Sequence, residues 1–293
     1  MKRNLRYATA AGLAGLGLAA ALALSGAGQP PAQPAFIAAA APPAATATHW
    51  FDGRINIGGP DQSARDGAPD ASAAAVYGRH GRAIDFGGLT VAQYIAPRIA
   101  AARMGDMKAA YAVYQAIAVC AALDEAAADY QEPSQLAQFQ REREEQQRLC
   151  ATISPAQVQE RMQFLSSAAR AGIRDAQIDF YMEGPGGKPV QQNDGASDPL
   201  LAQWQADALT FLKSAGAQCD PFALGLLSNA YDAGDLAART PRLAVAYGVA
   251  AAAARHVGLN RQQLLNRFGD QVSDAELDEG MRLGAQLAQE SCK

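Results

Sequence analysis

Cysteine and histidine are the residue types in this sequence that could most readily support chemistry. The chain has four cysteines and three histidines: Cys120, Cys150, Cys219, Cys292, His49, His80 and His256. Thiolate and imidazole groups bind zinc when they recur at short spacings, such as two cysteines separated by two residues. The cysteines here lie much further apart, and the histidines are scattered along the chain. We therefore expect no metal ion and no cofactor.

A catalytic site would need a nucleophile beside a base, or a set of paired carboxylates. His80 and His256 have no motif beside them, and Asp124, Glu144 and Glu160 fall on predicted helices without a recognisable partner. The sequence therefore predicts a protein that is not an enzyme. An envelope hydrolase and a cell-wall glycan-binding protein stay as alternatives.

Calcium binding is suggested by three aspartates in a glycine-containing loop. Asp61, Asp66 and Asp70 do not follow the spacing of an EF-hand loop, and the glutamate expected at its twelfth position is missing. A solvated loop is the better interpretation. It forms part of residues 49–90, an irregular segment whose aromatic start at residues 49–51 could cap a helical array.

The first 27 residues have the pattern of a secretory signal peptide. Three basic residues precede a chargeless, apolar run, and Ser25-Gly26-Ala27 resembles a signal-peptidase site. An uncleaved inner-membrane anchor is the alternative, although the run is near the lower limit of about 20 residues for spanning. The Ala-, Pro-, Gln- and Thr-rich residues 28–48 predict a disordered linker. The signal-peptide pattern predicts a periplasmic or secreted protein, and the Ala and Arg usage indicates a bacterial source.

The charge balance excludes two classes of partner. Removing residues 1–27 takes away three basic and no acidic residues, which changes the formal net charge from −4 to −7. An acidic chain lacks the basic surface that attracts nucleic acids or anionic lipids. We therefore expect neither a nucleic-acid partner nor a membrane span after signal cleavage, whereas a protein partner or the cell wall remains open.

An even number of cysteines behind a signal peptide predicts two disulfides, for which three pairings exist. Cys120 and Cys150 bracket most of a charged, Gln-rich insert at residues 131–153. A bond between them would tie the base of this insert to the preceding helix. In the chain-entropy model, closing such a loop stabilises the fold by about 3–4 kcal/mol.

Helical patterns dominate residues 91–293, with clear starts at several positions. Thr90 with Gln93, Ser154 with Gln157, and Ser273 with Glu276 have the spacing of capping boxes. The last of these opens a closing helix at residues 273–290. We therefore predict an all-α domain behind the irregular residues 49–90.

Similar turns recur along this helical domain. AARMGD at 101–106, AARAGIRD at 168–175 and AGAQCD at 215–220 share a helix end and a turn, with Cys219 at the position of the glycine. A fourth turn is predicted at Gly258. The interval between the first and second turns is the longest. If it contains the charged insert at residues 131–153, all four turns fit a repeat unit of about 40 residues, which is typical of helix-pair solenoids.

The stretch from 208 to 258 resembles the Sel-like repeat family of the tetratricopeptide superfamily. Its two helices match the two halves of the repeat pattern at these positions: Ala223, Leu227, Tyr231, Gly234, Ala244, Tyr247, Ala251 and Ala252, with Ser228 in place of a glycine. Phe211 and Ala215 match the second helix one repeat earlier, and Phe164 and Ala168 match it once more.

This resemblance implies an α-solenoid of antiparallel helix pairs that acts as a protein-interaction scaffold or adaptor. Asn229 and Asp232, on the first helix of the best repeat, are the contact positions that it suggests. In a closed array Cys219 lies at a turn and Cys292 ends the closing helix. We therefore favour a Cys219–Cys292 disulfide that fastens the C-terminal helix.

Overall fold

A computed structural model describes residues 76–78, 80–124, 132–188 and 198–292. The predicted signal peptide, the linker, the possible calcium loop and the aromatic residues 49–51 lie outside these ranges. The described part contains a small hairpin followed by ten α-helices. The strands are β1 (Val76–Tyr77) and β2 (Ala83–Ile84), and the helices are α1 (Val91–Arg103), α2 (Met107–Ala121), α3 (Pro133–Cys150), α4 (Pro155–Arg170), α5 (Arg174–Glu183), α6 (Pro199–Gly216), α7 (Pro221–Ala233), α8 (Pro241–Ala253), α9 (Arg261–Phe268) and α10 (Asp274–Ser291).

The helices pack in sequence order and form an α-solenoid. The main contacts run from α1 to α2, from α2 to α4, and onward through α5, α6, α7 and α8 to α10. Helices α3 and α9 are insertions in this order. The predicted all-α solenoid is thereby confirmed. None of the described helices is both long enough and apolar enough to cross a lipid bilayer.

Small side chains at the helix contacts make this stacking possible. Ala208, Ala223 and Ala244 are fully buried. Aromatic rings fill the space between the helices: the rings of Tyr231 on α7 and Tyr247 on α8 are parallel, with centroids 5.5 Å apart. The helices approach each other closely at the alanines, and the tyrosine rings fill the grooves between them. The result is the ridge-and-groove contact of paired helices.

Four helices of the array end in the same way. The residue that follows the turn donates its backbone N–H to an alanine carbonyl at the helix end. The four bonds are Asp106 to Ala101, Ile173 to Ala168, Asp220 to Ala215, and Val257 to Ala252. Each closes a Schellman-type cap, in which the turn residue has a left-handed backbone. The end of every second helix in the array therefore repeats one local structure.

The residue in the left-handed position is not always glycine. It is Gly105 after α1 and Gly172 after α4, but Cys219 after α6 and His256 after α8, with φ values of 58° and 59° for the last two. The prediction of the fourth turn at Gly258 is therefore wrong by two residues. The hydrogen-bond pattern, and not the presence of a glycine, defines the turn.

The hairpin at residues 76–84 corrects the prediction of an irregular segment up to residue 90. Val76 pairs with Ile84 and Tyr77 with Ala83 in an antiparallel register. A two-stranded hairpin of this size is not stable alone and needs a packing partner. Buried Ile84 and Phe86 belong to the same core as the helical array, so the hairpin packs as part of the fold.

The predicted charged insert forms helix α3, whose buried residues lie at its C-terminal end and whose Arg143 donates a hydrogen bond to the backbone carbonyl of Leu123. Leu149 and Cys150 are its buried residues. Cys150 is bonded to Cys120 on α2, with the two Cα atoms 5.6 Å apart. This is the pairing that the sequence favours, and it fixes the base of the insert to the array.

Helix α10 closes the array by close packing on α8. A Cβ atom added to Gly280 would lie 2.7 Å from the Val245 side chain, and one added to Gly284 would lie 2.6 Å from the Ala246 carbonyl oxygen. Only glycine permits this approach. The chain end is fastened by the Cys219–Cys292 disulfide, with a Cα–Cα distance of 4.9 Å.

Candidate functional site

Helix α5 provides the acidic side of a buried ionic cluster. Asp175, Asp179 and Glu183 are spaced four residues apart, so that they lie along one helix face. Asp179 is 2% exposed and Glu183 is fully buried. Carboxylates buried to this degree need hydrogen-bond and charge partners, because losing hydration costs several kcal/mol per ion. The partners come from α2, from α4 and from the hairpin.

Two tyrosines of α2 donate to the two buried carboxylates. The Tyr111 hydroxyl lies 2.7 Å from Asp179 Oδ2. The Tyr114 hydroxyl lies 3.0 Å from Glu183 Oε1. Their rings are stacked, with centroids 5.9 Å apart. Two tyrosines that are three residues apart on α2 thus bind two carboxylates that are four residues apart on α5.

Two arginines supply the opposite charge. Arg82, which directly precedes β2, donates from Nε to Asp179 at 3.2 Å and contacts Asp175 through Nη1 at 3.0 Å. Arg161 on α4 donates from Nη2 to Glu183 Oε2 at 2.8 Å. Each buried carboxylate therefore has one tyrosine hydroxyl and one guanidinium. Arg82 connects the hairpin to α5 through these bonds.

His80 completes the cluster from the turn of the hairpin. Its Nε2 lies 3.3 Å from Glu183 Oε1, within the range of an ion pair. The same nitrogen is buried and makes no aligned hydrogen bond. A hydrogen bond weakens steeply when its angle is poor, so the short distance alone does not make one here. His80 therefore contacts Glu183 without being bound to it.

Burial dominates the titration behaviour of the cluster. Burial raises the pKa of Asp179, and Arg82 and His80 only partly offset that effect. Burial also raises the pKa values of Tyr111 and Tyr114 far above the usual range, and the neighbouring carboxylates raise them further. Burial is the largest single effect on Arg82 and would lower its pKa, but Asp179, Tyr111 and Asp175 together outweigh burial, and the net change in the pKa is upward. The tyrosines consequently act as neutral hydrogen-bond donors.

The cleft beside this cluster is too small for a substrate. It is shallow and lined by residues of the hairpin, α2 and α5, among them His80, Tyr114 and Asp179. Its free space is about that of one water molecule. The carboxylates are held by their own tyrosine and arginine partners. The arrangement suits a structural ionic network better than general acid–base catalysis, which requires reach to a bound substrate.

The contact positions suggested by the sequence are engaged within the chain. Asn229 Oδ1 accepts a hydrogen bond from Arg267 of α9 at 2.8 Å. Asp232 lies 3.6 Å from the Arg239 guanidinium. Arg267 also donates to Ser228, the residue that replaces a glycine of the repeat pattern. Helix α9 thus contacts part of the α7 surface that we expected to meet a partner.

The residues that we expected to define the repeat lie mostly in the interior of the α7–α8 pair. Ala223, Leu227 and Ala244 are fully buried, and Tyr231 is 6% exposed. Gly234 ends α7 with a left-handed backbone. These residues hold the α7–α8 pair together, and Tyr247 stacks on Tyr231 as described above.

The remaining candidates for chemistry are not brought together. Glu160 pairs with Arg103 near the surface at 2.7 Å, and Glu144 is exposed on α3. His256 occupies the exposed fourth turn, far along the chain from His80. Over the described ranges, no three His, Cys, Asp or Glu side chains converge as metal ligands.

The ionic cluster itself is not predicted from the sequence. Its bonds join residues 97, 69, 68 and 22 positions apart, so no local motif contains them. One signal was present: α5 carries acidic residues at four-residue spacing in a short segment that also holds Ile178 and Phe180. Acidic residues on a helix face that must pack indicate distant cationic partners.

Comparison with protein-family models and with curated proteins finds no match for this chain.

Proposed function

We propose that this protein is a non-enzymatic scaffold or adaptor of the bacterial cell envelope, built from degenerate Sel-like repeats, which binds a protein partner through its helical surface. The observation that carries the proposal is the recurrence of one helix end in four helices. Each uses an alanine carbonyl, from Ala101 to Ala252, as the acceptor of the turn. A repeated local structure in stacked helix pairs is the hallmark of solenoids, which present extended binding surfaces.

The location of the ionizable groups supports a scaffold over a hydrolase. Among the residues that the structure describes, Asp179 and Glu183 are the most deeply buried carboxylates, and both are bonded to a tyrosine and an arginine of the chain. In the proposal, Asp179 fastens the hairpin and α2 to α5, and Glu183 fastens α2 and α4 to α5. A hydrolase would instead need such groups beside a cavity that admits substrate.

The two disulfides support a location in the envelope. Bonds such as Cys120–Cys150 and Cys219–Cys292 persist in oxidising compartments and are rare in the cytosol. The signal-peptide pattern of residues 1–27 points to the same compartment. Export to the periplasm, or secretion, is therefore part of the proposal.

The partner surface is expected outside the part of α7 that is contacted by α9. Arg267 and Arg239 already bind Asn229 and Asp232. A partner that used these two positions would have to displace an intramolecular bond at each.

Affinity capture from envelope extract, followed by chemical crosslinking, tests the proposal. The variant Ala244→Arg places a charge at a fully buried position of α8 and disrupts the array. Ala202→Arg makes the same change at an exposed position of α6 and serves as the matched control. We expect one protein to be captured by the wild type and by Ala202→Arg, and to be lost with Ala244→Arg. Capture of cell-wall fragments alone would support the glycan alternative and contradict the scaffold.

A further inference from the structure

The two disulfides differ in how accessible their sulfur atoms are. Cys120 and Cys150 are each 6% exposed and belong to the main core. Cys219 and Cys292 are both only half-buried, at a turn and at the chain end. A thiolate must reach a disulfide sulfur in order to attack it, so access contributes to the rate of reduction. The Cys219–Cys292 bond is the more accessible of the two.

The accessible bond holds the end of the last helix. Cys219 lies in the left-handed turn after α6, and Cys292 directly follows α10. The two residues are 73 positions apart in the sequence. The bond therefore connects the final residues of α10 to a turn in the middle of the array.

The bonded end of α10 packs on a separate small apolar cluster. Its buried residues Leu224, Ala250 and Ala251 are not part of the main core, although Tyr247 packs against both. Ala254, which directly follows α8, and Leu287 of α10 complete the cluster. Leu287 is the contribution of α10. The earlier part of α10 is held differently, by buried Leu277 and by the close approach of Gly280 and Gly284 to α8.

We propose that the Cys219–Cys292 disulfide is a reducible latch on the last two turns of α10. When the bond is intact, Leu287 is held on the cluster around Leu224. When it is reduced, residues 285–292 separate from the array and uncover that apolar surface, while Leu277 and Gly280 keep the rest of α10 in place. Cys120–Cys150 remains oxidised, because its sulfur atoms lie in the core. This inference goes beyond the scaffold function and does not depend on the identity of a partner.

The reduction is an ordinary thiol–disulfide exchange with a dithiol. One thiolate of the dithiol attacks a sulfur of the bond, the S–S bond breaks, and a mixed disulfide forms with release of the other cysteine as a thiolate. The second thiol of the dithiol, as its thiolate, then attacks its own sulfur in the mixed disulfide, and the remaining protein cysteine leaves as a thiolate. The dithiol leaves as a disulfide, and Cys219 and Cys292 are left as two thiols after protonation.

Timed reduction of the full chain tests the difference between the two bonds. Folded protein is exposed to dithiothreitol without denaturant, alkylated at intervals and mapped by mass spectrometry. We expect Cys219 and Cys292 to become alkylated at least about tenfold faster than Cys120 and Cys150, because of the difference in access. Equal rates, or faster reduction of Cys120–Cys150, would overturn the proposal.

Hydrogen–deuterium exchange tests whether reduction releases the helix end. We expect backbone amides of residues 285–292 to exchange several-fold faster after partial reduction, and those around Leu277 to be unchanged, since local opening is confined to weakly held segments. The double variant Cys219→Ser, Cys292→Ser should show the same faster exchange without reductant. Unchanged exchange at residues 285–292 in the reduced protein would contradict the latch, even if the bond is reduced first.

Discussion

The Tyr114 hydroxyl donates a hydrogen bond of 3.0 Å to Glu183 Oε1, joining helices whose residues are 69 positions apart. Both side chains are buried, and Arg161 occupies the other carboxylate oxygen. The two contacts of the Glu183 carboxylate thereby connect α2, α4 and α5 in the first half of the array. Any other alignment of these helices would leave the charge of Glu183 or Arg161 buried without a partner. The contacts of Glu183 therefore favour this one alignment.

Removal of the Glu183 carboxylate should destabilise the fold strongly. Glu183→Ala leaves the Arg161 guanidinium buried without its carboxylate partner, which costs about 3–5 kcal/mol. Urea unfolding followed by circular dichroism measures the loss. Glu160→Ala is the matched control, since it breaks the more exposed pair with Arg103 and should cost less than about 1 kcal/mol. Equal effects of the two substitutions would contradict the role of the cluster.

Asp179 should make the stability of the protein depend on pH with a specific sign. Burial raises the folded-state pKa of Asp179 above its unfolded value of about 3.9. Its contribution is therefore fully present below pH 4 and is lost as pH rises through the folded-state pKa. We expect the unfolding free energy of the wild type, relative to that of Asp179→Asn, to be greater at pH 4 than at pH 7.

Glu279 provides the comparison for this pH experiment. The hydrogen bond from Arg282 lowers the pKa of Glu279, so its contribution is present at neutral pH and is lost as pH falls. The wild type compared with Glu279→Gln should therefore show a smaller difference of opposite sign. Urea titrations at pH 4 and pH 7 measure both differences. If the unfolding free energy of the wild type, relative to each variant, changed with pH in the same direction for both, burial would not be the dominant effect on the pKa of Asp179.

The close contact between α10 and α8 should not tolerate a methyl group. In Gly284→Ala the new Cβ would lie 2.6 Å from the Ala246 carbonyl oxygen and from Val249, so the helices must separate at a cost of about 1–3 kcal/mol. Gly258→Ala is the control, because a Cβ there meets open space. Thermal unfolding of the two variants measures the difference, and an unchanged midpoint for Gly284→Ala would be the contrary result.

Because the four turns share one backbone conformation, introducing glycine at one turn and removing it from another should change the stability in opposite directions. His256 has a left-handed backbone, which costs about 1–2 kcal/mol for a residue with a Cβ atom. His256→Gly removes this cost and should raise the unfolding free energy by up to about 1 kcal/mol, after the entropy of glycine is subtracted. Gly172→Ala should lower it by about 1 kcal/mol. Urea unfolding of both variants checks this, and changes of equal sign would mean that the turns are not equivalent.

Local features of the fold were predictable from the sequence. Ser154 with Gln157 and Ser273 with Glu276 form the capping boxes that their spacing predicts, and the closing helix begins and ends within one residue of the expected bounds. A cap depends only on residues within one helical turn, so its signal is complete in the local sequence. The irregular interpretation of residues 76–84 failed because strands of two residues show no periodicity.

Features that depend on distant partners were not predictable. Nothing near Asp179 in the sequence indicates Arg82 or Tyr111, because their bonds exist only after the hairpin and α2 pack on α5. The fourth turn was placed at Gly258 because glycine is the usual left-handed residue. The chain uses His256 there instead, held by the backbone hydrogen bonds of the turn.

The most direct test of the scaffold proposal is the affinity of a captured envelope protein for the purified chain and its two arginine variants. Titration by calorimetry should give binding to the wild type and to Ala202→Arg with the same affinity, within about a factor of two, and no binding to Ala244→Arg. A captured protein that binds all three equally would show that the folded repeat surface is not what it recognises. Hydrolysis of that protein, or of cell-wall material, by the wild type would contradict the proposal of a non-enzymatic scaffold.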